Sequence, residues 1–294
     1  MLLLLVLILL LAAYFGIQLW NKKQEKKQEA KKEAEIIYIT DLKELTGINY
    51  DVGNGSITLE KQGDGWIYTT DQDFPLAQSY PEQMAETFGK LKAERELEDG
   101  DELAAYGLDE PVYTVELTDS DDTVTTLYFG NLVDDFYYVT VNDKDKVYTV
   151  SATVIDDLQY TIEDMAQLDT YPSIGSGNLK KETITQNGEV TTYDSENADD
   201  DENIATVAGG LGAVTLSEAA DYSVEDEDLA GFCLDEEKRI TVEVIYTQDE
   251  EEKVLTLYIG GEDGNGNRYV MMNESRIVYL ISDEICNNIL NVDE

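Results

Sequence analysis

"DELAAYGLDEP", Asp101 to Pro111, decides how this chain is read, because a degenerate echo of it, "EDLAGFCLDEE", runs from Glu227 to Glu237. The first copy reads as a helix that stops. With Gly107 in the left-handed position after the last helical residue, Leu103 and Leu108 become the apolar pair that touches across a Schellman cap, and Pro111 prevents the helix from resuming. The second copy keeps the leucine pair as Leu229 and Leu234 but puts Cys233 where the glycine was. A left-handed cysteine costs on the order of 1 kcal/mol, so this copy either tolerates the strain or caps with a different geometry. Asp109 and Glu110 recur as Asp235 and Glu236. Adjacent residues of an extended segment face opposite ways, so the stretch reads as a structural joint and not as a pair of catalytic carboxylates.

Working outward, the chain repeats segment by segment at an offset that drifts from 126 to 131, as loop insertions would produce. "TVEL", Thr114 to Leu117, matches "TVEV", Thr241 to Val244. "TLYFG", Thr126 to Gly130, matches "TLYIG", Thr256 to Gly260, and "YVTVNDKDKVYTVS" from Tyr138 aligns without gaps with "YVMMNESRIVYLIS" from Tyr269. The parse is two diverged α+β units, 36–170 and 171–294, each of ordinary domain size. Each is expected to hold an antiparallel sheet with one or two helices. Alternation at Tyr113, Val115 and Leu117, and at Ile240, Val242 and Val244, implies sheets with one buried face. An opening hairpin is expected at Ser56–Thr70 around Gly63-Asp64-Gly65, with a counterpart at "ETITQNGEVTTYD" around Asn187-Gly188. Met84, Phe88 and Leu91 predict a helix from Pro81 to about Leu97, matched near Ile204 to Leu211. Ser151 and Ser282 read as N-caps of closing helices in which Ile155 aligns with Cys286 and Leu158 with Ile289.

Composition narrows the function. The chain carries a formal net charge of −43, and its first 35 residues hold six Lys and four Glu, so the acid lies almost entirely beyond them. Such a surface repels phosphate backbones and anionic headgroups, which argues against nucleic-acid binding. Histidine is absent, which removes the usual general base, the Ser-His and Cys-His nucleophile pairs and the commonest zinc ligand. Two cysteines, Cys233 and Cys286, are too few for a zinc cluster, and whether they pair cannot be read from sequence. Cys286 aligns with an isoleucine and reads as a small core hydrophobe.

"LLLLVLILLLAAYFGIQLW", Leu2 to Trp20, is an uncharged run long enough to cross a bilayer as a helix, with Trp20 at its boundary. No Lys or Arg precedes it and its small pair, Ala12 and Ala13, comes early, so 1–21 reads as an uncleaved signal anchor. The following 22–35, with Lys22/Lys26, Lys23/Lys27 and Lys27/Lys31 at helical spacing, reads as a charged helical stalk. Its six lysines oppose an outside location by the positive-inside bias.

The tryptophan hairpin "GWIYTT", "LAAYGLDEP", "TLYFGN" and the closing "VYTVS" together resemble the bacterial domain-of-unknown-function family 4340. The resemblance implies a single-pass anchored protein with the bulk of the chain outside the cytoplasm, accompanying a gliding-type ABC transporter and its membrane protein. It implies no activity, so no catalytic residue, metal ligand or cofactor is expected. The leading expectation is a non-enzymatic extracytoplasmic accessory or scaffold module, tied to the lipid bilayer by its N-terminal helix. A glycan- or peptide-binding module is the alternative, because 19 tyrosines offer aromatic contacts, although most fall in strands where Tyr is favoured anyway. A carboxylate-based hydrolase is the third class and needs two acids about 5–10 Å apart in a concave site.

Among local motifs, "GEDGNGNRY", Gly261 to Tyr269, places Asp263, Asn265 and Asn267 like the start of a calcium loop. Arg268 stands where the glycine bend belongs, and turn chemistry explains the stretch. "TDSDDT" and "ENADDDEN" read as solvated acidic turns. "VAGGLGAV", Val207 to Val214, lacks the Lys of a phosphate loop.

Overall fold

The computed structural model describes residues 36–53, 55–97, 100–142 and 146–292. The expected anchor at 1–21 and stalk at 22–35 lie outside the described residues. Among the described residues no helix is long and apolar enough to cross a membrane. The described chain divides into two compact units. One takes the described residues up to Trp66 together with Gln78–Thr161; the other takes Ile67–Ala77 together with the described residues from Ile162 onward. The segments Ile67–Ala77 and Ile162–Thr170, which the alignment assigns to the first copy, therefore pack with the second unit. Two backbone bonds bind them: Ala77 N–H donates to Met165 O at 2.9 Å and Gln167 N–H to Pro75 O at 2.6 Å.

The first unit runs β1 (Ile37–Tyr38), β2 (Leu45–Asp51), β3 (Ser56–Gln62), β4 (Gly65–Tyr68), α1 (Ser79–Gly89), β5 (Lys92–Ala93), β6 (Arg95–Leu97), β7 (Tyr113–Asp119), β8 (Val124–Val133), β9 (Phe136–Val141) and β10 (Val147–Ser151). Its main sheet has the order β4-β3-β2-β7-β8-β9-β10-β6, and β1 pairs separately with β5. Alternation drives one face inward: Ile48, Val115, Leu117, Leu127, Phe129 and Val139 are all buried, as are Met84 and Phe88 of α1. Each such side chain contributes roughly 2 kcal/mol by leaving water.

The second unit runs β11 (Leu179–Gln186), β12 (Glu189–Asp194), α2 (Asp201–Ala213), β13 (Ala219–Asp221), β14 (Ile240–Gln248), β15 (Glu251–Glu262), β16 (Asn267–Met272), β17 (Val278–Ser282) and α3 (Asp283–Leu290). The sheet order β12-β11-β14-β15-β16-β17-β13 reproduces the first from β3 onward, strand for strand. All of its strand pairs are antiparallel. Val207, Ala208 and Leu211 of α2 and Cys286 and Ile289 of α3 cover the buried face.

Two sequence expectations are corrected. The first helix ends at Gly89, not near Leu97, and Lys92–Ala93 and Arg95–Leu97 are strands. Its last carbonyls are claimed from far upstream: Thr40 Oγ1 donates to Phe88 O at 2.6 Å and accepts from Leu91 N–H at 2.8 Å, while Leu42 N–H donates to Gly89 O at 2.8 Å. Leu91 keeps helical spacing, but the tertiary contacts end the helix. The counterpart of the Asn187-Gly188 hairpin is β2–β3 rather than β3–β4. Ile48 faces Leu117 across β2 and β7, and Glu182 faces Val244 across β11 and β14, with Leu117 and Val244 at matched positions. β4 is an addition, so Trp66 lacks a counterpart because its strand has none.

Candidate functional site

The joint is built as the leucine pair requires. Gly107 adopts φ 69° and Cys233 φ 56°, both left-handed, at the ends of the 3-10 turns Leu103–Tyr106 and Leu229–Phe232. Leu108 N–H donates to Leu103 O at 3.0 Å and Gly107 N–H to Ala104 O at 3.2 Å. In the second copy Leu234 N–H donates to Leu229 O at 2.9 Å and Cys233 N–H to Ala230 O at 3.3 Å, so it tolerates the strain and keeps the cap. The "LY[FI]G" glycines explain why the turn sits where it does. A Cβ on Gly130 would lie 2.2 Å from Tyr106 O, and one on Gly260 would lie 2.3 Å from Phe232 O. The two signatures are thus opposite sides of one backbone contact, present in both units. The next position compensates the lost glycine: a Cβ at Gly107 would lie 2.5 Å from Asn131 Oδ1, whereas Cys233 faces Gly261. Asp109 and Glu110 are exposed beside this joint.

The other motifs resolve as turns. Asp263 Oδ1 accepts from the N–H groups of Asn265 and Asn267 at 2.7 and 3.0 Å, and Asn267 Nδ2 donates to its other oxygen at 3.0 Å. The Asn265 N–H, first among these donors, holds the Asp263 carboxyl below the ordinary carboxylate range. In "TDSDDT" Asp119 Oδ1 accepts from Asp121 and Thr123 N–H, with the same lowering. Among the described residues no group of three or more metal-ligating side chains converges. Cys233 and Cys286 are unpaired, and burial pushes the Cys286 thiol up to about 12.

Three features go beyond what sequence reasoning located. At the β8–β9 hairpin of the first unit, Leu132, Val133 and Phe136 are 51%, 46% and 40% exposed. Tyr113 and Tyr137 form an edge-on ring pair at 5.7 Å in the same unit. The matched hairpin of the second unit puts Glu262, Asp263 and Asn267 there, and Arg268 pairs with Asp283 at 3.2 Å. An apolar tip therefore stands on one copy, where the other closes its tip with polar bonds.

The second feature is a cleft between each unit's first helix and its closing helix, the 3-10 segment Ala152–Leu158 in the first unit and α3 in the second. In the first unit Ser79, Tyr80, Gln83, Asp157 and Tyr160 line about 210 Å³. Gln83 Nε2 and Thr87 Oγ1 donate to Asp157 at 2.8 and 3.1 Å, and the Tyr80 and Tyr160 rings meet edge-on at 4.9 Å. In the second unit a cleft of about 530 Å³ includes Asn203, Thr206, Asn287, Asn288 and Asn291, with Asn291 Nδ2 donating to Asn203 Oδ1 at 3.0 Å.

The third is Glu182, 0% exposed on β11 in the place of Ile48, with neither carboxyl oxygen hydrogen-bonded. Burial raises its carboxyl to about 8. The Tyr171 hydroxyl is likewise buried without a partner, and its ionisation is pushed up by burial and by Glu182. No sequence motif marks Glu182, because a single acid in an alternating strand reads as a surface residue.

A family model described as a domain of unknown function, DUF4340, matches the chain twice, over residues 66–210 and 189–291. No curated protein and no solved structure matches it.

Proposed function

The chain belongs to the DUF4340 family, and from that premise we propose that it is a non-enzymatic, membrane-anchored accessory module standing outside the cytoplasm and docking onto the membrane subunit of an ABC transport complex of the gliding type. The observation that carries the reading is the divergence of the two hairpin tips. Duplication preserved the apolar core and the capped joint in both units, whereas Leu132, Val133 and Phe136 of the first stand in solvent where the second has polar residues. Exposed apolar side chains on an otherwise strongly acidic chain mark a surface that another protein covers, and covering three of them supplies a few kcal/mol. Asp134 and Asp135 at the tip favour a partner whose apolar contact is rimmed by Lys or Arg. The apolar run Leu2–Trp20 supports the anchoring, and the family resemblance supports the outside location against the lysine-rich flank.

The test is affinity purification of the full-length chain after gentle membrane solubilisation, beside a Val133→Asp/Phe136→Asp variant. The transporter's membrane subunit should copurify with the wild type and be lost from the variant. Recovery of the isolated chain alone, or equal recovery from both, would overturn the proposal.

A further inference from the structure

We propose that the helix-pair clefts of the two units bind a neutral oligosaccharide. Matched core positions set the correspondence: Met84 with Val207 and Phe88 with Leu211, all fully buried. On that register Tyr80 matches Asn203, Gln83 matches Thr206, Asp157 of one closing helix matches Asn288 of the other, and just past their ends Tyr160 matches Asn291. Counting Ser79 with Glu202, the same five positions therefore line a cleft in both units. Their side chains differ, yet each set can bind sugar. Tyr160 is 43% exposed beside Tyr80 and offers an aromatic face for sugar C–H groups, with Gln83 and Asp157 beside it for hydroxyls. The second cleft is rich in amides, which donate and accept toward hydroxyls at once.

Asn287 and Asn288 strengthen the case. Asn is a poor helix former, and α3 has two in succession within its eight residues. Both are half-buried, and among the described residues their side-chain amides have no hydrogen-bond partner. Their groups are left for a ligand. Charge selects its class: Glu202 and Glu284 edge the second cleft, Asp157 sits in the first, and the chain carries −43 overall, so phosphate and carboxylate ligands are repelled. The clefts lie between helices and not along a sheet edge, where an extended peptide would gain main-chain bonds. The inference does not rest on the docking reading, since the hairpin tip contributes no residue to either cleft.

The experiment is calorimetric titration of the full-length chain in detergent with tetra-N-acetylchitotetraose, a neutral sugar, with tetra-alanine as the peptide control. Tyr160→Ala and Asn287→Ala/Asn288→Ala are compared with the wild type, each first checked to unfold at the wild-type temperature. The first variant alters an exposed ring and the second raises helix propensity, so both are expected to fold. The wild type should show saturable binding, Tyr160→Ala should lose the first class of site, and the double variant should lose the second. Absence of binding at millimolar sugar, binding unchanged in both variants, or binding of tetra-alanine alone would each overturn the proposal. Loss of partner copurification in the hairpin variant would leave these titrations unchanged, so the two readings fail separately.

Discussion

Replacing Glu182 with the isoleucine that the first unit uses at the matched position, Ile48, should stabilise the second unit, and by an amount that depends on pH. The carboxyl is fully buried with no hydrogen-bond partner, and burial raises it from an ordinary 4.5 to about 8. The folded state therefore holds this proton more tightly than the unfolded state does. Stability from the protonated form is complete below about pH 4.5 and is lost as pH rises through 8. At 1.36 kcal/mol per pH unit the whole loss is about 5 kcal/mol, of which about 3 kcal/mol has accrued by pH 7. Removing an unpartnered buried carboxyl adds a further gain of about 1–3 kcal/mol at every pH. The assay is urea unfolding of wild type and Glu182→Ile at pH 5, 7 and 8.5. Taking the difference between the two proteins cancels the self-repulsion of so acidic a chain. The stability advantage of the variant should grow steadily across that range. An advantage equal at pH 5 and 8.5, or a variant less stable at pH 8.5, would refute the reasoning.

Three further predictions concern the joint and the thiols. Gly130→Ala and Gly260→Ala, each pushing a methyl to within 2.2 or 2.3 Å of a carbonyl oxygen, should cost about 3 kcal/mol or more and show as a lowered thermal midpoint. Gly107→Cys should destabilise the first unit, and adding Asn131→Gly, which reproduces the Cys233 and Gly261 pairing, should recover about 1 kcal/mol or more in a double-mutant cycle. At pH 8 a native thiol titration should modify the half-buried Cys233 and spare Cys286 until urea exposes it; immediate reaction of both would contradict the burial.

How much of this was legible depended on how local its cause was. The Schellman pair at Leu103 and Leu108, the serine caps at Ser151 and Ser282, and the core places of Ile155 and Cys286 follow from neighbours a few residues away. Both serines accept from the closing helix, from Thr153 and Ile285 N–H, as their positions predict. The end of the first helix was not legible, because the groups that stop it, Thr40 and Leu42, come from more than 45 residues upstream. The hairpin correspondence was hidden by Glu182, which breaks the apolar alternation that would have matched β11 to β2. The contact between Gly130 and the Tyr106 carbonyl joins residues 24 positions apart, so it is not legible locally, although each half of it belongs to a repeated motif. The clefts left no motif at all, since Tyr80 and Tyr160 are exchanged for asparagines in the second unit and only their places in the fold agree.

The measurement that bears most directly on the functional claim is site-specific photo-crosslinking in intact cells, with the reactive residue placed at Phe136 in the first hairpin or at Asn267 in the second. A crosslinked product containing the transporter's membrane subunit is predicted from Phe136 and not from Asn267. Equal products from the two positions, or no product from Phe136, would contradict the account.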